Sequence, residues 1–314
     1  MIENALHALF FGAFGSWYAF ASGTLVRATP LILTGLSIAI AFRAGVFNIG
    51  AEGQFLVGAA AATTVALECS SLPAIVLIPA LLVAGIAAGA IWAWVAAILR
   101  ERFRVLEVIS TIMLNFVALY LVSYLVRGPI QEPTHVYPQT SPIAQAAQLP
   151  RFGSTTRLHI GFAIAVIACS IAWWAMTYTA AGFRLRAVGA NPRAAKSAGQ
   201  IDVSRVTMRA FLLSGAFAGL AGAIEVSGVT YALYENISPG YGYTAIAVAL
   251  LARLNPAAVI LTGILFGGLE AGASAMQRDA GVPSVIVSVA EALIVLALVA
   301  FERARVSRLV LAPK

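Results

Sequence analysis

Apolar runs of about 20 residues recur from the beginning of this chain to its end. A helix needs roughly 20 apolar residues to cross the hydrocarbon core of a bilayer, which is about 30 Å thick. Charged residues make up only 11% of the 314, against roughly 25% in a typical soluble domain. The sequence therefore predicts an all-α protein, a polytopic transmembrane helix bundle of about eight to ten membrane segments, with residues 1–314 forming a single domain.

Eight runs approach the length of a membrane-spanning helix: 26–42, 45–67, 72–99, 105–126, 159–178, 210–231, 256–274 and 284–301. The shorter run 241–252 is either a tilted short span or a broken helix, and a ninth crossing is preferred. Residues 5–23 are apolar but interrupted by Gly12, Gly15 and Ser16, and they lack the charged start and cleavage site of a signal peptide. They predict a tenth span or an interfacial helix.

Basic residues lie in short segments between the apolar runs and form no continuous patch, although the net charge is +7. This distribution argues against nucleic acid as a partner and favours a topological role, because cytoplasmic loops of membrane proteins carry an excess of Lys and Arg. With the C-terminus inside, 15 of the 20 Lys and Arg residues fall on the inner side. The sequence thus predicts a cytoplasmic C-terminus, an external loop at about 127–158 and a cytoplasmic loop at about 182–209.

Glycines recur within the spans at intervals that favour close helix packing. They are Gly85 with Gly89; Gly215 with Gly219 and Gly222; Gly263 with Gly267; and Gly268 with Gly272.

Polar side chains also lie inside the predicted spans. Glu270 and Gln277 share one helical face with small residues, while Asn115, Glu225 and Glu291 lie in other spans. Ionisable groups in a bilayer are costly and are functional candidates by default. Two interpretations stay open: these groups form hydrogen bonds between helices, or they line a polar translocation path.

Polar residues and glycines open the apolar helix that follows Arg43. Asn48 is a good N-cap, Glu52 complements the positive helix end, and Gln54 follows one turn into the run. A helix that begins part-way through the membrane is a recurring device of transporters. A short loop before a capped helix would have the same pattern.

Motifs for catalysis, a metal or a cofactor are absent from the sequence. The three histidines are scattered, and Cys69 and Cys169 form neither a disulfide framework nor a metal cluster. Ala195 precedes Lys196 where a phosphate-binding P-loop requires glycine. The chain is therefore expected to be no enzyme, to hold no cofactor or metal, and to depend on another polypeptide if ATP drives it.

Five stretches together resemble the permease subunits of ATP-binding-cassette importers for nucleosides and simple sugars, in the group related to ribose and branched-chain amino acid permeases. They begin at Thr29 (TPLILTGLSIAIAFRAGVFNIGAEGQF), Thr111 (TIMLNFVALYLVSYLVRGP), Gly182 (GFRLRAVGANPRAAKSAGQ), Ser238 (SPGYGYTAIAVALLARLNP) and Gly281 (GVPSVIV). The external stretch VYPQTSPIAQAAQLPRFGSTTRLH belongs to the same resemblance.

The resemblance implies three protein partners: a cytoplasmic ATPase subunit, a second permease subunit that is either a paralogue or another copy, and an extracytoplasmic substrate-binding protein. It implies a location in the bacterial inner membrane, surrounded by lipid. It also implies a short cytoplasmic helix that rests on the ATPase. Asn191-Pro192 is a sound helix start and Gly199 a plausible stop; a solvated basic loop that only fixes topology is the alternative. The residues assigned to ATPase coupling are Gly189, Asn191, Pro192, Arg193, Ala195, Lys196 and Gly199.

The expected activity is import of nucleosides, of the purine type, into the cytoplasm. Uncharged nucleosides suit hydrogen-bonding side chains and aromatic rings. A simple-sugar permease is the alternative within the same group, and a proton-coupled secondary transporter is the alternative from another class. The candidate residues of the substrate pathway are Asn48, Glu52, Gln54, Asn115, Glu270 and Gln277.

Overall fold

The computed structural model describes residues 2–199, 201–293 and 296–297, and the regular structure in these ranges is helical, without a β-strand. The helices are α1 Ile2–Phe14, α2 Leu25–Arg43, α3 Ala51–Glu68, α4 Ala74–Phe103, α5 Glu107–Val126, α6 Gly161–Tyr178, α7 Ala180–Ala190, α8 Pro192–Gly199, α9 Val203–Glu225, α10 Tyr241–Leu251 and α11 Pro256–Ala280. Residues 285–293 are also helical and form α12. The predicted all-α fold is confirmed.

Six helices in this part of the chain are long and apolar enough to cross a membrane. They are Ala19–Arg43, Ala74–Phe103, Glu107–Val126, Gly161–Tyr178, Val203–Thr230 and Pro256–Ala280. The predicted span 284–301 is described only in part, so its far end lies outside the described residues. The same applies to Arg303, Arg305, Arg308 and Lys314, which the sequence assigned to the inner side.

Glycines bring α3, α4 and α9 into backbone contact at the centre of the bundle. A Cβ added at Gly58 would lie 2.4 Å from the Cα of Gly219, and a Cβ added at Gly219 would lie 2.1 Å from the carbonyl oxygen of Gly85. A Cβ at Gly89 would lie 2.2 Å from the carbonyl oxygen of Gly215. Small residues allow membrane helices to approach this closely. The packing role predicted for Gly85, Gly89, Gly215 and Gly219 is confirmed.

The N-terminal apolar stretch 5–23 is not one helix. Helix α1 ends at Phe14, and a π-helical turn over Ala19–Thr24 runs directly into α2. The first long helix therefore begins at Ala19 instead of residue 26. Helix α1 packs on α11, where a Cβ at Gly272 would lie 2.3 Å from the carbonyl oxygen of Leu9.

Helix α10 is too short to cross a bilayer. Its 11 residues extend about 16 Å at 1.5 Å per residue, roughly half of a hydrocarbon core about 30 Å thick. The helix is therefore shorter than the ninth crossing preferred for residues 241–252, and its length agrees with the alternative of a broken helix. Pro239-Gly240 stops a longer helix, with Gly240 at φ 101°, and residues 231–240 are largely non-helical.

The two ends of the bundle differ in charge. One end, which we call the basic side, contains the ends of α2 and α4 together with α7 and α8. There the Nη1 of Arg43 donates to the carbonyl oxygen of Arg253 at 3.4 Å, and Gly189 packs against the backbone of Arg43. The loop side is covered by residues 127–160. There the backbone N–H of Ile143 donates to the carbonyl oxygen of Tyr231 at 2.8 Å.

Candidate functional site

Asn48 is the centre of a buried hydrogen-bond network near the start of α3. Its side-chain amide exchanges two hydrogen bonds with that of Gln54, at 3.0 and 3.1 Å, and donates to the hydroxyl of Ser214 at 2.8 Å. The Oδ1 of Asn48 also accepts from the backbone N–H of Gly50 at 2.9 Å. Both amide side chains are buried. The network joins the segment before α3 to α9.

Glu52 and Asn115 connect the same region to α10 and α5. One carboxylate oxygen of Glu52 accepts from the backbone N–H of Gly242 at 2.7 Å. The amide of Asn115 accepts from the N–H of Gly53 at 2.8 Å and donates to the carbonyl oxygen of Ile49 at 2.9 Å. The amide of Asn115 also donates to the hydroxyl of Tyr243 at 3.3 Å. These contacts join α3 to α5 and α10.

A polar cavity of about 670 Å³ adjoins the start of α10, between α2, α9, α10, α11 and α12. Four charged residues line it, namely Arg27, Glu225, Glu270 and Glu291, and we call it the carboxylate cavity. Glu270 follows Pro256 by 14 residues, which places it about 21 Å along α11 from the basic side. The cavity therefore lies in the half of the bundle that faces the loop side.

Ionisable groups in the carboxylate cavity are incompletely paired. Glu225 is 4% exposed and Glu291 is 8% exposed, and Oε1 of Glu291 has no hydrogen-bond partner among the described residues. Arg27 donates to the hydroxyl of Ser274 at 3.1 Å. Within residues 2–199, 201–293 and 296–297, none of the three carboxylates forms an ion pair with Arg27.

Aromatic side chains line the same cavity. Tyr234, Tyr241 and Tyr243 border it, beside Asn236 from the segment before α10. A second cavity of about 630 Å³ shares Tyr234 and Tyr241 with the first and continues past Arg157 in the loop that covers this side. Together the two cavities provide aromatic surface, hydrogen-bond acceptors and a guanidinium group in one half of the bundle.

Of the six residues assigned to a substrate pathway, Glu270 lines the carboxylate cavity. Asn48, Glu52, Gln54 and Asn115 belong to the buried network described above. Gln277 is exposed near the end of α11, where its side-chain oxygen accepts from the N–H of Ser284 at 3.2 Å.

Arg27 was not among the residues that the sequence assigned to the pathway. It lies at the edge of the predicted apolar run 26–42. Because the helix begins at Ala19, Arg27 is two turns inside it. Glu225 and Glu291 are recognisable from the sequence as candidate functional residues, because each is an ionisable group within an apolar run.

The residues assigned to ATPase coupling fall on the basic side, in and next to α8. The Oδ1 of Asn191 accepts from the N–H groups of Arg193 and Ala194, both at 3.1 Å, as an N-cap does. Helix α8 runs from Pro192 to Gly199, the predicted bounds. Arg193 and Lys196 are exposed.

Two of the assigned residues face the protein instead. Ala195 is 7% exposed, so it anchors α8. Gly189 touches the backbone of α2, because a Cβ there would lie 2.1 Å from the carbonyl oxygen of Arg43. A cleft of about 810 Å³ separates Lys196 from Arg100 and Glu101 at the end of α4.

Residues 20–301 match the family model described as branched-chain amino acid transport system / permease component. The chain is 42% identical over 288 residues to a glucose ABC transporter permease protein of Haloferax volcanii, covering 88% of this chain and 75% of that protein. It is 40% identical over 301 residues to the guanosine ABC transporter permease protein NupP of Bacillus subtilis, covering 94% and 85%. It is 34% identical over 296 residues to the nucleoside ABC transporter permease protein NupB of Lactococcus lactis, covering 91% and 80%. No solved structure matches the chain.

Proposed function

Because this chain belongs to the family of branched-chain amino acid transport system permease components, we propose that it is the membrane subunit of an ATP-binding-cassette importer for purine nucleosides. It receives the nucleoside outside the cell and passes it to the cytoplasm. ATP is hydrolysed by a separate subunit, and a second permease chain completes the path. The protein sits in the plasma membrane of a bacterium, with its basic side and C-terminus in the cytoplasm.

Two kinds of relative support import and differ on the substrate. NupP and NupB carry nucleoside names and align over 94% and 91% of this chain, while the relative at 42% identity carries a glucose name. Identity alone does not separate these substrates, so the chemistry of the site must do so.

The carboxylate cavity is the observation that favours nucleosides. Tyr234, Tyr241 and Tyr243 line it together with charged groups, and a nucleobase offers both a flat π-face and a hydrogen-bonding edge. Proteins read an unpaired base through its Watson–Crick edge while stacking it on aromatic side chains. A sugar uses the hydrogen-bonding groups but has no ring face of that kind.

Uptake by membrane vesicles that contain the complete transporter tests the substrate. We expect ATP-dependent accumulation of radiolabelled guanosine that unlabelled nucleosides suppress and glucose or ribose does not. Accumulation of glucose or ribose without any nucleoside would establish the sugar alternative. Uptake by this chain without an ATPase subunit, abolished by an uncoupler, would establish a proton-coupled transporter.

Helix α8 is the proposed contact with the ATPase. Arg193 and Lys196 are exposed on it, and Ala195 fixes it to the bundle. Reversal of both charges, R193E with K196E, should leave the protein in the membrane but detach the ATPase during purification. The matched control R184E with R186E makes the same change of charge on α7. Full retention of the ATPase by the α8 variant, or equal loss from both variants, would contradict this assignment.

A further inference from the structure

Three arginines line one cavity on the basic side of the bundle. The cavity has a volume of about 420 Å³ and lies where the ends of α2, α6 and α10 meet α7 and the start of α11. Arg43 belongs to the end of α2, Arg186 to α7, and Arg253 to the turn between α10 and α11. We call this space the arginine cavity. None of the described residues that line it is Asp or Glu, so its positive charge has no counter-charge in the lining.

The three arginines are also without ion pairs elsewhere. Across the described part of the chain, no salt bridge includes Arg43, Arg186 or Arg253. Arg43 donates to the carbonyl oxygen of Arg253 at 3.4 Å, which is long for an N–H···O hydrogen bond. Guanidinium groups that share a cavity repel each other. An anion placed between them would therefore stabilise the arrangement.

The turn between α10 and α11 brings further positive charge to the arginine cavity. Arg253 and Leu254 both have positive φ angles, 51° and 57°, which residues other than glycine adopt uncommonly. The backbone N–H of Leu254 donates to the carbonyl oxygen of Ala249 at 2.9 Å and closes the turn. Helix α11 begins directly after it at Pro256, which lines the cavity. The positive end of the α11 dipole thus adds to the charge of the arginines.

Aromatic side chains place the arginine cavity at the level of the lipid headgroups. Helix α6 is long and apolar enough to cross a membrane, and near its end Trp173, Trp174 and Tyr178 are exposed. Tryptophan and tyrosine are enriched where a span meets the membrane surface. Trp173 and Met176 line the cavity together with the arginines. The lining is therefore cationic and apolar at once, as an amphiphile requires.

We propose that the arginine cavity binds the headgroup of an anionic phospholipid. Its phosphate lies among Arg43, Arg186 and Arg253, and the first carbons of its acyl chains lie against Trp173 and Met176. The planar guanidinium group matches the oxygens of a phosphate, and basic pockets between membrane helices bind anionic headgroups. A zwitterionic lipid such as phosphatidylcholine carries a cation of its own, which the three arginines would repel. The site is independent of the substrate that the transporter carries.

Photocrosslinking of the complete transporter in detergent micelles tests the site. The probe is a trace of phosphatidylglycerol with a diazirine near the top of one acyl chain. We expect label on the peptide that contains Trp173, and competition by unlabelled phosphatidylglycerol at a mole fraction at least about tenfold lower than that of phosphatidylcholine. Each basic residue beside an anionic headgroup contributes about fivefold in affinity. R186Q should therefore weaken labelling about fivefold, and R43Q, R186Q and R253Q combined should weaken it roughly a hundredfold.

Two further variants separate charge from shape. R186K keeps the positive charge and should retain most of the labelling. R102Q removes an exposed arginine at the end of α4, on the same side of the bundle but outside the arginine cavity, and should label as the wild type does. Protection of buried Cys169 from a thiol reagent shows that each variant is folded.

Four outcomes would overturn the inference. Phosphatidylcholine that competes as well as phosphatidylglycerol would mean that the cavity binds acyl chains alone. Glycerol 3-phosphate that competes at the concentration of phosphatidylglycerol would mean a site for soluble anions. Unchanged labelling in the triple variant, or equal loss in folded R186Q and R186K, would exclude recognition by charge. Loss of the ATPase from R186Q with labelling unchanged would assign Arg186 to the contact with that subunit instead.

Discussion

The carboxylate of Glu52, in the first turn of α3, accepts a hydrogen bond of 2.7 Å from the backbone N–H of Gly242, in the first turn of α10. The first N–H groups of a helix have no partner within the helix, and the positive end of the helix dipole attracts an anion. The carboxylate of Glu52 lies in the first turn of its own helix and accepts a hydrogen bond from the first turn of α10. It therefore lies near the positive ends of both helices. One side chain thus fixes the point at which the broken segment before α10 meets α3.

Substitution of Gly242 should break this junction. A Cβ in G242A would lie 2.3 Å from the backbone nitrogen of Glu52, and backbone atoms cannot move aside as a flexible side chain can. We expect a loss of about 1–3 kcal/mol in the free energy of unfolding, as for other overpacked sites. Cys169 is buried and becomes reactive towards a thiol reagent when the protein unfolds. The extent of this reaction during heating therefore measures the loss of stability. G23A, whose Cβ would have 3.6 Å to its nearest neighbour, should unfold as the wild type does.

The helices could be predicted because each depends on local sequence. Apolar runs predict where most of the helices lie. Two helices begin at Asn191-Pro192 and Asn255-Pro256, because both asparagine side chains accept hydrogen bonds from the first backbone N–H groups. The first long helix begins at Ala19, seven residues before the predicted start at 26. Ser22 and Gly23 lie there in a π-helical turn that packs against α11.

The polar cluster at Asn48 could not be predicted in detail from spacing. Asn48 and Gln54 are six residues apart, which is no helical repeat, and their partner Ser214 lies 166 residues from Asn48. Only the tertiary fold brings them together. For Glu270 the rule that ionisable groups in apolar runs are functional candidates singled out a residue that lines the carboxylate cavity, whereas Arg27 at the edge of its run resembled a loop residue.

Removal of the Asn48 side chain should affect stability and leave substrate affinity unchanged. N48A leaves the side-chain amide of Gln54 without its partner, whereas the hydroxyl of Ser214 keeps its hydrogen bond with Ser37. A buried polar group left unpaired costs about 1–3 kcal/mol. We expect less folded protein in the membrane and a lower midpoint of thermal unfolding. The KM for nucleoside uptake, measured at equal amounts of folded transporter, should not change. N4A, on an exposed face of α1, is the control; a raised KM in N48A alone would place Asn48 on the substrate path.

The contact of α3, α4 and α9 should be the least tolerant point of the bundle. A methyl group at Gly219 would meet the backbone of Gly85 at 2.1 Å, and overpacking of this kind typically costs about 1–3 kcal/mol. G219A should therefore lower the yield of folded protein and the unfolding midpoint at least as much as G242A. Both quantities can be followed by the same thiol reaction, with G23A again as the control. Wild-type stability in G219A would mean that the helices can separate without loss.

Glu235 should confer a pH dependence on the loop side of the protein. Its carboxylate accepts two hydrogen bonds of 2.7 Å from Arg127 and another from Ser123, and these bonds lower the pKa of Glu235 to about 2. A depressed pKa in the folded state contributes stability above the unfolded value of about 4.5, which is lost as the pH falls towards 2. R127Q should thus unfold at a lower temperature than the wild type at pH 7, and the difference should shrink at pH 3. E235Q should lower the unfolding temperature at pH 7 by the same amount, and its difference from the wild type should also shrink at pH 3. The double variant should unfold at nearly the same temperature as R127Q, because the two residues act as one pair. A difference between R127Q and the wild type that stays constant from pH 7 to pH 3 would show that Arg127 stabilises the loop without the charge of Glu235.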